Sequence, residues 1–313
     1  FKNKIGLDFT VYKDVSTNQF LSLAAPSGSG FTSYFVNAGR IENQGFELTL
    51  DAQVVSTSNF SWKSSVNVSR NTNKIVELIA SNPNYQVGGN DEGFASVIRA
   101  GGSFNDLWIH KFARDASGRI ILNATTGAPT RAPLQELVGN VNPDFLLGWN
   151  NNFTYNNWFA SVLVQGKFGG VAFSKTEAFL DSYGASARTG EFRDKGGMPI
   201  NAVQNGNPVS TIDPAVFFSA VGDRNGIMEP YLFSRTNVRV GQLVLGYNLK
   251  SNNAKSLIKE ANFSLVGRNL FFLFKEAPFD PEQAMSTGNG MQSNDVFGLP
   301  ATRSYGVNVK FTF

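Results

Sequence analysis

The sequence predicts an all-β chain that crosses a membrane as an antiparallel β-barrel, and three observations support this prediction. Short segments in which apolar and polar residues alternate with a period of two recur along the chain. Gly, Asn and Ser separate these segments in the way that turn residues separate strands, with 31 Gly residues in the chain. The sequence has no apolar run of about 18 residues, which excludes membrane-spanning helices.

The end of the chain gives one of the clearest alternations. Its apolar and polar side chains fall on opposite faces, with Tyr305, Val307, Val309, Phe311 and Phe313 against Gly306, Asn308, Lys310 and Thr312. Such a strand is an aggregation hazard in water unless another strand pairs with it or its apolar face meets lipid. A membrane barrel meets both conditions, whereas the edge of a soluble sandwich stays an alternative at this point.

The earlier strands follow in order along the chain. Residues 5–11 alternate, and residues 46–54 and 60–68 read as a hairpin around the break at 56–58. Residues 145–155 and 158–168 read as a second hairpin, because Asn156 and Asn157 tolerate the backbone of a tight turn. The flanking Tyr155 and Trp158 are typical of an aromatic girdle at a membrane interface.

The later strands are residues 238–247, 263–274 and 305–313. Val238 and Val240 have one phase and Leu243 and Leu245 the other, which predicts a β-bulge near Gly241. Two shorter segments, 104–112 and 119–123, form a further expected hairpin of ambiguous phase. Together these segments predict about ten strands.

Connection lengths predict an orientation. Three connections are short (56–58, 156–157 and 250–260), and the others are long (15–42, 71–103, 124–143, 169–234 and 273–302). Because barrels of the outer membrane have short periplasmic turns and long extracellular loops, the short connections are expected on the periplasmic side. We expect this arrangement to need the 104–123 hairpin.

The polar face of the predicted strands is expected to surround a lumen. The residues assigned to this lining are Glu47, Asp51, Lys63, Asn308 and Lys310. Charge is tolerated there, whereas a Lys or Arg on the lipid face at the bilayer midplane would cost about 2–4 kcal/mol.

Composition limits the possible chemistry. The 27 basic and 24 acidic side chains give a net charge of +3, too small and dispersed to indicate nucleic-acid binding. The absence of Cys excludes disulfides, thiol chemistry and the commonest zinc sites. We expect His110, the one histidine, to have a structural or interfacial role. No catalytic site, metal site or cofactor is predicted.

Two acidic segments leave alternatives open. Residues 223–226, with Glu229, faintly resemble a calcium loop but lack its full set of ligands. Asp280 and Glu282 could hold a loop or a cation, and loop architecture is favoured.

Aromatic residues in the 169–234 loop are the candidates for substrate contact. Aromatic faces stack on sugar rings or receive apolar peptide side chains, but they also build compact loop cores. The candidates are Phe179, Tyr183, Phe192, Phe217, Phe218, Tyr231 and Phe233.

Several segments, in their order and spacing, resemble the C-terminal barrel portion of SusC/RagA-type TonB-dependent outer-membrane transporters. They are residues 37–50 (NAGRIENQGFELTL), 139–155 (GNVNPDFLLGWNNNFTY), 164–170 (VQGKFGG), 240–249 (VGQLVLGYNL), 267–272 (GRNLFF), 279–282 (FDPE) and 300–313 (PATRSYGVNVKFTF). The resemblance implies that residues 1–313 are part of a barrel of about 22 strands, with a plug and an N-terminal extension outside this sequence.

The resemblance also implies a function and partners. It implies energised import of an oligosaccharide or a peptide through the outer membrane of a Gram-negative bacterium, with a SusD-like lipoprotein over the mouth and the TonB complex acting through the N-terminal region. No bond is broken in such a reaction. A passive porin, an outer-membrane hydrolase and a secreted adhesin remain alternatives.

Overall fold

The computed structural model describes residues 4–24, 27–31, 33–78, 84–88, 93–224, 226–251, 257–282, 294–299 and 301–313. The strands, in chain order, are β1 (Ile5–Ala24), β2 (Ser33–Ser56), β3 (Phe60–Glu77), β4 (Asn84–Gly88), β5 (Phe94–Arg99), β6 (Asp106–Ile109), β7 (Ile120–Ile121), β8 (Glu136–Asn140), β9 (Phe145–Tyr155), β10 (Trp158–Phe168), β11 (Val171–Ser174), β12 (Met198–Gln204), β13 (Asn207–Ile212), β14 (Leu232–Ser234), β15 (Asn237–Lys250), β16 (Glu260–Lys275), β17 (Asn294–Asp295) and β18 (Ser304–Thr312). The helices are α1 (Lys175–Ser182), α2 (Ala187–Glu191) and α3 (Pro214–Val221), and residues Ser27–Ser29 and Glu229–Tyr231 form single 3₁₀ turns. Within these described ranges, no helix is long and apolar enough to cross a membrane.

One antiparallel sheet of eight strands organises the chain, in the order β1-β2-β3-β9-β10-β15-β16-β18. The order follows the sequence, so each strand pairs with the next strand of the same sheet. Every one of these strands was predicted, and the Asn156 turn between β9 and β10 has the expected left-handed backbone, with φ 51°.

The register of this sheet separates an apolar face from a polar face. Leu50 pairs with Leu7 on one side and with Val66 on the other, and Val66 then pairs with Trp149. The same face continues at the far end, where Leu265 lies between Leu245 and Val307. The apolar side chains project outward instead of packing on a second sheet, and Val307 is 73% exposed. This is the surface that a barrel presents to lipid, as the alternation predicted.

An aromatic row crosses the apolar face beside the short turns. Cross-strand pairing joins Phe60, Tyr155, Trp158, Tyr247 and Phe263, so the row extends over five adjacent strands. The Trp158 and Tyr247 rings meet edge to face, with their centroids 4.9 Å apart. Aromatic rings with a polar edge are enriched at this depth in membrane barrels, and the row therefore marks the interface on the short-turn side.

The predicted bulge in β15 is present. Leu163 pairs with Gln242 and Val164 pairs with Val240, which leaves Gly241 as the extra residue between two registers. The bulge reverses the phase of the strand, because one inserted residue moves the following side chains to the other face.

The predicted loop at 15–42 is wrong for most of its length. β1 continues to Ala24 and pairs through Ala24 and Ser33 with β2, so the two strands form a long hairpin. The segment was interpreted as a loop because its apolar residues do not alternate with a period of two and because it contains the turn residues Pro26, Gly28 and Gly30. Pairing of β1 with β2 satisfies the backbone N–H and C=O groups whatever the side chains are, so a strand can continue here without an alternating pattern.

The predicted barrel hairpin at 104–123 is also wrong. β6 joins a separate sheet in the order β4-β5-β6-β8, and β7 joins a sheet in the order β13-β12-β7. The sheet described above therefore has eight strands instead of ten. The orientation does not need the extra hairpin, because a hairpin adds two strands and leaves the alternation of sides unchanged.

The long connections fold into a compact unit, which we call the outer body: residues 93–143 and 170–235 with β17. Its core collects apolar side chains from both long segments, among them Ile109, Phe173 and Val221, all of which are fully buried. The segments also share sheets, since β7 of the first segment pairs with β12 of the second, and β11 of the second pairs with β17. The outer body therefore has a non-local core of its own, at the long-loop end of the barrel sheet.

Candidate functional site on the inner wall and the outer body

The polar face of the barrel sheet carries all five residues that were predicted to line a lumen. Register partners connect Lys63 through Asn152, Ser161, Val244 and Val266 to Gly306, which lies on the same face of β18 as Asn308 and Lys310. Asp51 pairs with Ser65, and Glu47 pairs with Ser69 on the same face. We call this face the inner wall.

Two adjoining cavities form a polar groove on the inner wall. The lower cavity has a volume of about 440 Å³ and reaches from β2 to β15. The upper cavity has a volume of about 540 Å³ and lies beneath the outer body. They share Glu47, Ser69 and Leu146 as lining residues, so the groove is continuous.

Side-chain amides build the upper cavity. Asn43 Oδ1 accepts a hydrogen bond from Asn73 Nδ2 at 2.8 Å, and Asn73 Oδ1 accepts one from the Phe104 backbone N–H at 2.7 Å. Tyr12 lies across Gly45 and donates its hydroxyl to Asn71 Oδ1 at 3.1 Å. Amides offer donors and acceptors together, and therefore suit a ligand that is itself rich in hydroxyl or amide groups.

A charged cluster lines one end of the lower cavity. Glu282 Oε2 lies 2.7 Å from an Arg239 guanidinium nitrogen, and Glu282 Oε1 lies 3.1 Å from Lys167 Nζ. Gln165 Oε1 accepts a further hydrogen bond from Arg239 Nε at 3.3 Å. Lys167 and Arg239 belong to β10 and β15, whereas Glu282 belongs to the turn that follows β16.

The turn that carries Glu282 is itself firmly bonded. Asp280 Oδ1 accepts the backbone N–H of Glu282 at 2.9 Å, and Arg235 donates to the carbonyl oxygens of Pro281 and Val141 at 3.1 and 2.8 Å. Of the two possibilities for Asp280 and Glu282, the structure therefore supports loop architecture.

The seven aromatic residues that were predicted to contact substrate differ in how deeply they are buried. Phe217, Phe218 and Tyr231 lie in the core of the outer body, and substrate contact through them would need that core to open. Phe179 stacks on Phe297, and Phe233 packs edge-on against Phe279. Phe192 is half-buried, and Tyr183 is 83% exposed. Of the seven side chains, Tyr183 is therefore the most accessible to a ligand.

A buried carboxylate organises the core around Tyr231. Asp181 accepts hydrogen bonds from Ser186, from Arg188 Nε at 2.9 Å and from the Tyr231 hydroxyl at 3.0 Å. Burial, reinforced by the negative charge of Asp181, raises the pKa of Tyr231 well above its ordinary value. Burial opposes the charged form of Arg188, but its ion pair with Asp181 outweighs this and raises the pKa of Arg188. The network fixes α1, α2 and the 229–231 turn to one another.

An open cleft of about 730 Å³ lies beside this network on the outer body. Tyr183, Arg193, Asp213 and Ser219 are among its lining residues. Asp213 caps α3 by accepting the Ala215 backbone N–H at 2.8 Å. The cleft offers an exposed ring, a cation and hydroxyl groups, a set that suits a polar ligand.

His110 and Glu229 have structural contacts. His110 is buried, and its Nδ1 lies 2.8 Å from the backbone oxygen of Ala132. Glu229 accepts the Phe112 backbone N–H at 3.0 Å and pairs with Arg114 at 2.9 Å. Asn225 of the proposed calcium loop lies outside the described residues. Within the described part of the chain, no group of three acidic or histidine side chains could hold a metal ion.

Sequence reasoning missed the charged cluster on the inner wall. The alternation that put Lys63 on this face also puts Gln165 and Lys167 there, so their phase was readable. Arg239 was harder to assign because it precedes the bulge at Gly241. Nothing local to Glu282 indicates that the turn folds back onto β10 and β15.

Comparison with known proteins gives related sequences and folds. No protein-family model matches the chain. The TonB-dependent receptor P3 of Formosa agariphila is 26% identical over 99% of this chain and 33% of its own length. The TonB-dependent receptor SusC of Bacteroides thetaiotaomicron is 22% identical over 83% of this chain and 26% of its own length.

A solved structure of the RagAB peptide importer in its closed-closed state matches the whole chain with a TM-score of 0.73 and 17% identity. The match covers 34% of the solved chain, in the C-terminal part of its barrel. This chain therefore spans about one third of the length of the proteins that it matches. Proteins of this kind lie in the outer membrane of Gram-negative bacteria, and so does this chain. The chain is therefore similar in sequence to TonB-dependent receptors, SusC among them, and similar in fold to a portion of the β-barrel of the RagAB peptide importer.

Proposed function

We propose that the chain forms part of the barrel wall and the outer loops of a TonB-dependent importer, which takes up an oligosaccharide or a peptide across the outer membrane. Residues 1–313 would be the C-terminal portion of that barrel, with the plug outside them. The whole molecule would work with a SusD-like lipoprotein over its mouth and with the TonB complex at the periplasmic side. It would transport its substrate without breaking a bond.

The observation that carries the proposal is the two-faced sheet, in combination with the sequence relatives. One face presents apolar side chains to lipid along all eight strands, and the other presents amides, hydroxyls and charges to an interior groove. A wall of this kind separates a hydrated path from hydrocarbon. The TonB-dependent receptors among the relatives favour an energised path over passive diffusion.

The chemistry of the groove and the cleft supports the proposed substrate class. Asn71, Asn73 and Asn140 line the upper cavity, and Tyr183 and Arg193 line the cleft. Amide groups hydrogen-bond equally well with sugar hydroxyls and with peptide backbones. An exposed tyrosine ring stacks on sugar rings and on apolar peptide side chains.

Uptake by intact cells tests the proposal. Cells of the native host that carry the gene, and cells from which it is deleted, are given fluorescent oligosaccharides or peptides. We expect gene-dependent accumulation that stops when a proton uncoupler removes the energy for TonB. Accumulation that depends on the gene but continues at the same rate with the uncoupler would contradict the proposal and favour a passive porin.

The other two alternatives have separate tests. A hydrolase would release products from the labelled substrate, and replacing His110 together with the loop carboxylates would abolish that release. Unaltered activity in this variant would remove the hydrolase hypothesis. An adhesin would partition into buffer instead of detergent when the cell envelope is extracted.

A further inference from the structure

We infer that Arg239 and Lys167 form a binding subsite for a carboxylate group of the transported substrate, and that Glu282 occupies it when no substrate is bound. This inference rests on the proposed function and extends it by naming a chemical class, a solute that carries a carboxylate. Such a group occurs on acidic sugars and at the C-terminus of peptides.

The first argument is the unequal charge of the cluster. Arg239 and Lys167 both pair with Glu282, and in the described part of the chain this carboxylate is their only ion-pair partner. Two cations therefore share one anion. The half-buried guanidinium of Arg235 donates to the carbonyl oxygen of Pro281 in the same turn and to that of Val141, and it adds further positive charge. Asp280 of the same turn lines a neighbouring cavity with Arg239 and reduces this excess. Three cations still outnumber two carboxylates, so a further carboxylate would enter a site that is net positive.

The second argument is access. Arg239 and Glu282 are mostly buried, with 17% and 16% of their side chains exposed, whereas Lys167 is 38% exposed. The cluster opens on the lower cavity of about 440 Å³, which is lined by all three side chains. Partial burial strengthens each ion pair, and the open side gives a ligand a path to the same two cations.

The third argument is geometry. Arg239 donates to Gln165 through Nε and to Glu282 through a terminal nitrogen. A guanidinium has five N–H donors in a planar fork, so Arg239 keeps donors beyond these two contacts. Lys167 approaches the same carboxylate from the neighbouring strand. The two cations are placed so that each contacts one oxygen atom of a carboxylate group, as they do with Glu282.

Glu47 is the other acidic group on this cavity, and its position leaves the cationic end positive. It lies three strands away from Lys167, through Ser69 and Leu146, or about 14 Å at the usual spacing between strands. That distance exceeds the screening length of about 8 Å at physiological ionic strength.

Isothermal titration of the purified full-length protein in detergent tests the inference. The probes are a peptide with a free C-terminus and its C-terminal amide, and an oligosaccharide of uronic acids and its neutral counterpart. The two pairs show which source supplies the carboxylate. We expect the acidic member of one pair to bind at least about tenfold more tightly than its neutral partner.

The variants are expected to change affinity in opposite directions. Arg239→Gln and Lys167→Gln should each weaken binding of the acidic probe about tenfold and leave the neutral probe unaffected. Glu282→Gln should strengthen binding of the acidic probe several-fold, because the competing carboxylate is gone. Lys63→Gln, which removes another inner-wall cation, is the matched control and should change nothing.

A purely structural role for Glu282 gives a different result. Glu282→Gln would then weaken binding of acidic and neutral probes alike, and this outcome would overturn the inference. Equal binding of both members of each pair would also overturn it. If Arg239→Gln fails to fold, the more exposed Lys167 still provides the test. Energised uptake without any preference for carboxylates would leave the proposed importer intact and remove only the subsite.

Discussion

At the scale of single residues, buried polar groups mark the positions at which the sequence was hardest to interpret. Alternation places Asn151 on the lipid face, yet its side chain is buried, and its Oδ1 accepts a hydrogen bond from the Trp62 indole at 3.0 Å. Trp149 likewise donates to Ser64 at 2.9 Å. Two indoles therefore satisfy polar groups on the lipid face, a solution that period-two alternation cannot reveal because it depends on cross-strand neighbours.

Gly45 gives a prediction about close packing inside the barrel. A Cβ atom there would lie 2.6 Å from the Tyr12 hydroxyl oxygen and 2.1 Å from the Arg70 carbonyl oxygen. We expect Gly45→Ala to cost about 1–3 kcal/mol, because the Tyr12 ring and a backbone strand must move. Heat-induced loss of the folded band in semi-native gel electrophoresis measures the effect.

Gly190 is the control for this prediction. A Cβ atom at position 190 meets nothing within 4 Å, so Gly190→Ala should leave the unfolding temperature unchanged. Equal behaviour of the two variants would contradict the packing of Tyr12 on Gly45.

Tyr231 gives a prediction about pH. Its pKa is higher in the folded outer body than in the unfolded chain, so this residue stabilises the fold below the ordinary value of 10.0, and the contribution is lost as the pH rises above that value. Tyr231→Phe should reduce this loss. At pH 8 the variant should be about 1–3 kcal/mol less stable, because Asp181 loses one of its donors.

Limited proteolysis of the outer body between pH 8 and 11 measures this dependence. Tyr183→Phe, which changes an exposed ring, should behave like the original protein at every pH. If Tyr231→Phe shows the same alkaline loss as the original protein, the pH dependence does not come from Tyr231.

At the scale of elements, the sequence predicted the strands that meet lipid and failed for the strands that do not. The sequence predicted all eight barrel strands, the Asn156 turn and the Gly241 bulge. It did so because lipid on one side and a polar interior on the other impose a strict alternation of apolar and polar residues. The sequence did not predict the extension of β1 to Ala24 or the short strands of the outer body. Water or a mixed core surrounds those strands, and no single period survives there.

Two adjacent residues of β3 test the assignment of faces. Val66 lies between Leu50 and Trp149 on the apolar face, whereas Ser65 lies beside Asp51 on the inner wall. Val66→Lys should cost about 2–4 kcal/mol and reduce the amount of folded barrel in the membrane, because its charge meets hydrocarbon. Ser65→Lys should be tolerated, because its charge meets a carboxylate. Similar folded yields of both variants would contradict the assignment.

At the scale of the whole molecule, the sheet gives the barrel an orientation. The short connections 57–59 and 156–157 lie on one side of the eight-stranded sheet, as do the end of β15 and the start of β16, and the outer body lies on the other side. From the general asymmetry of such barrels, we expect the outer body to lie outside the cell. The sequence supported this orientation through loop lengths alone, but it could not show that the long connections share one core, because that core joins segments far apart in the chain.

Site-directed labelling tests the orientation. The 313 residues contain no cysteine, so a single introduced cysteine is the one reactive thiol of this region. Leu134→Cys, at an exposed position of the outer body, should react with a membrane-impermeant maleimide on intact cells. Ser58→Cys, in a short turn, should react only after the outer membrane is opened. The reverse order of labelling would show that the barrel has the opposite orientation.

The cross-bracing of the outer body limits how relatives of this chain can exchange specificity. β7 pairs with β12, and β11 pairs with β17. A single connection transplanted from another gene would therefore leave strand edges unpaired and apolar side chains exposed to water. We therefore expect that recombination gives a working hybrid only when all connections of the outer body are exchanged together, with the crossover points in the lipid-facing strands.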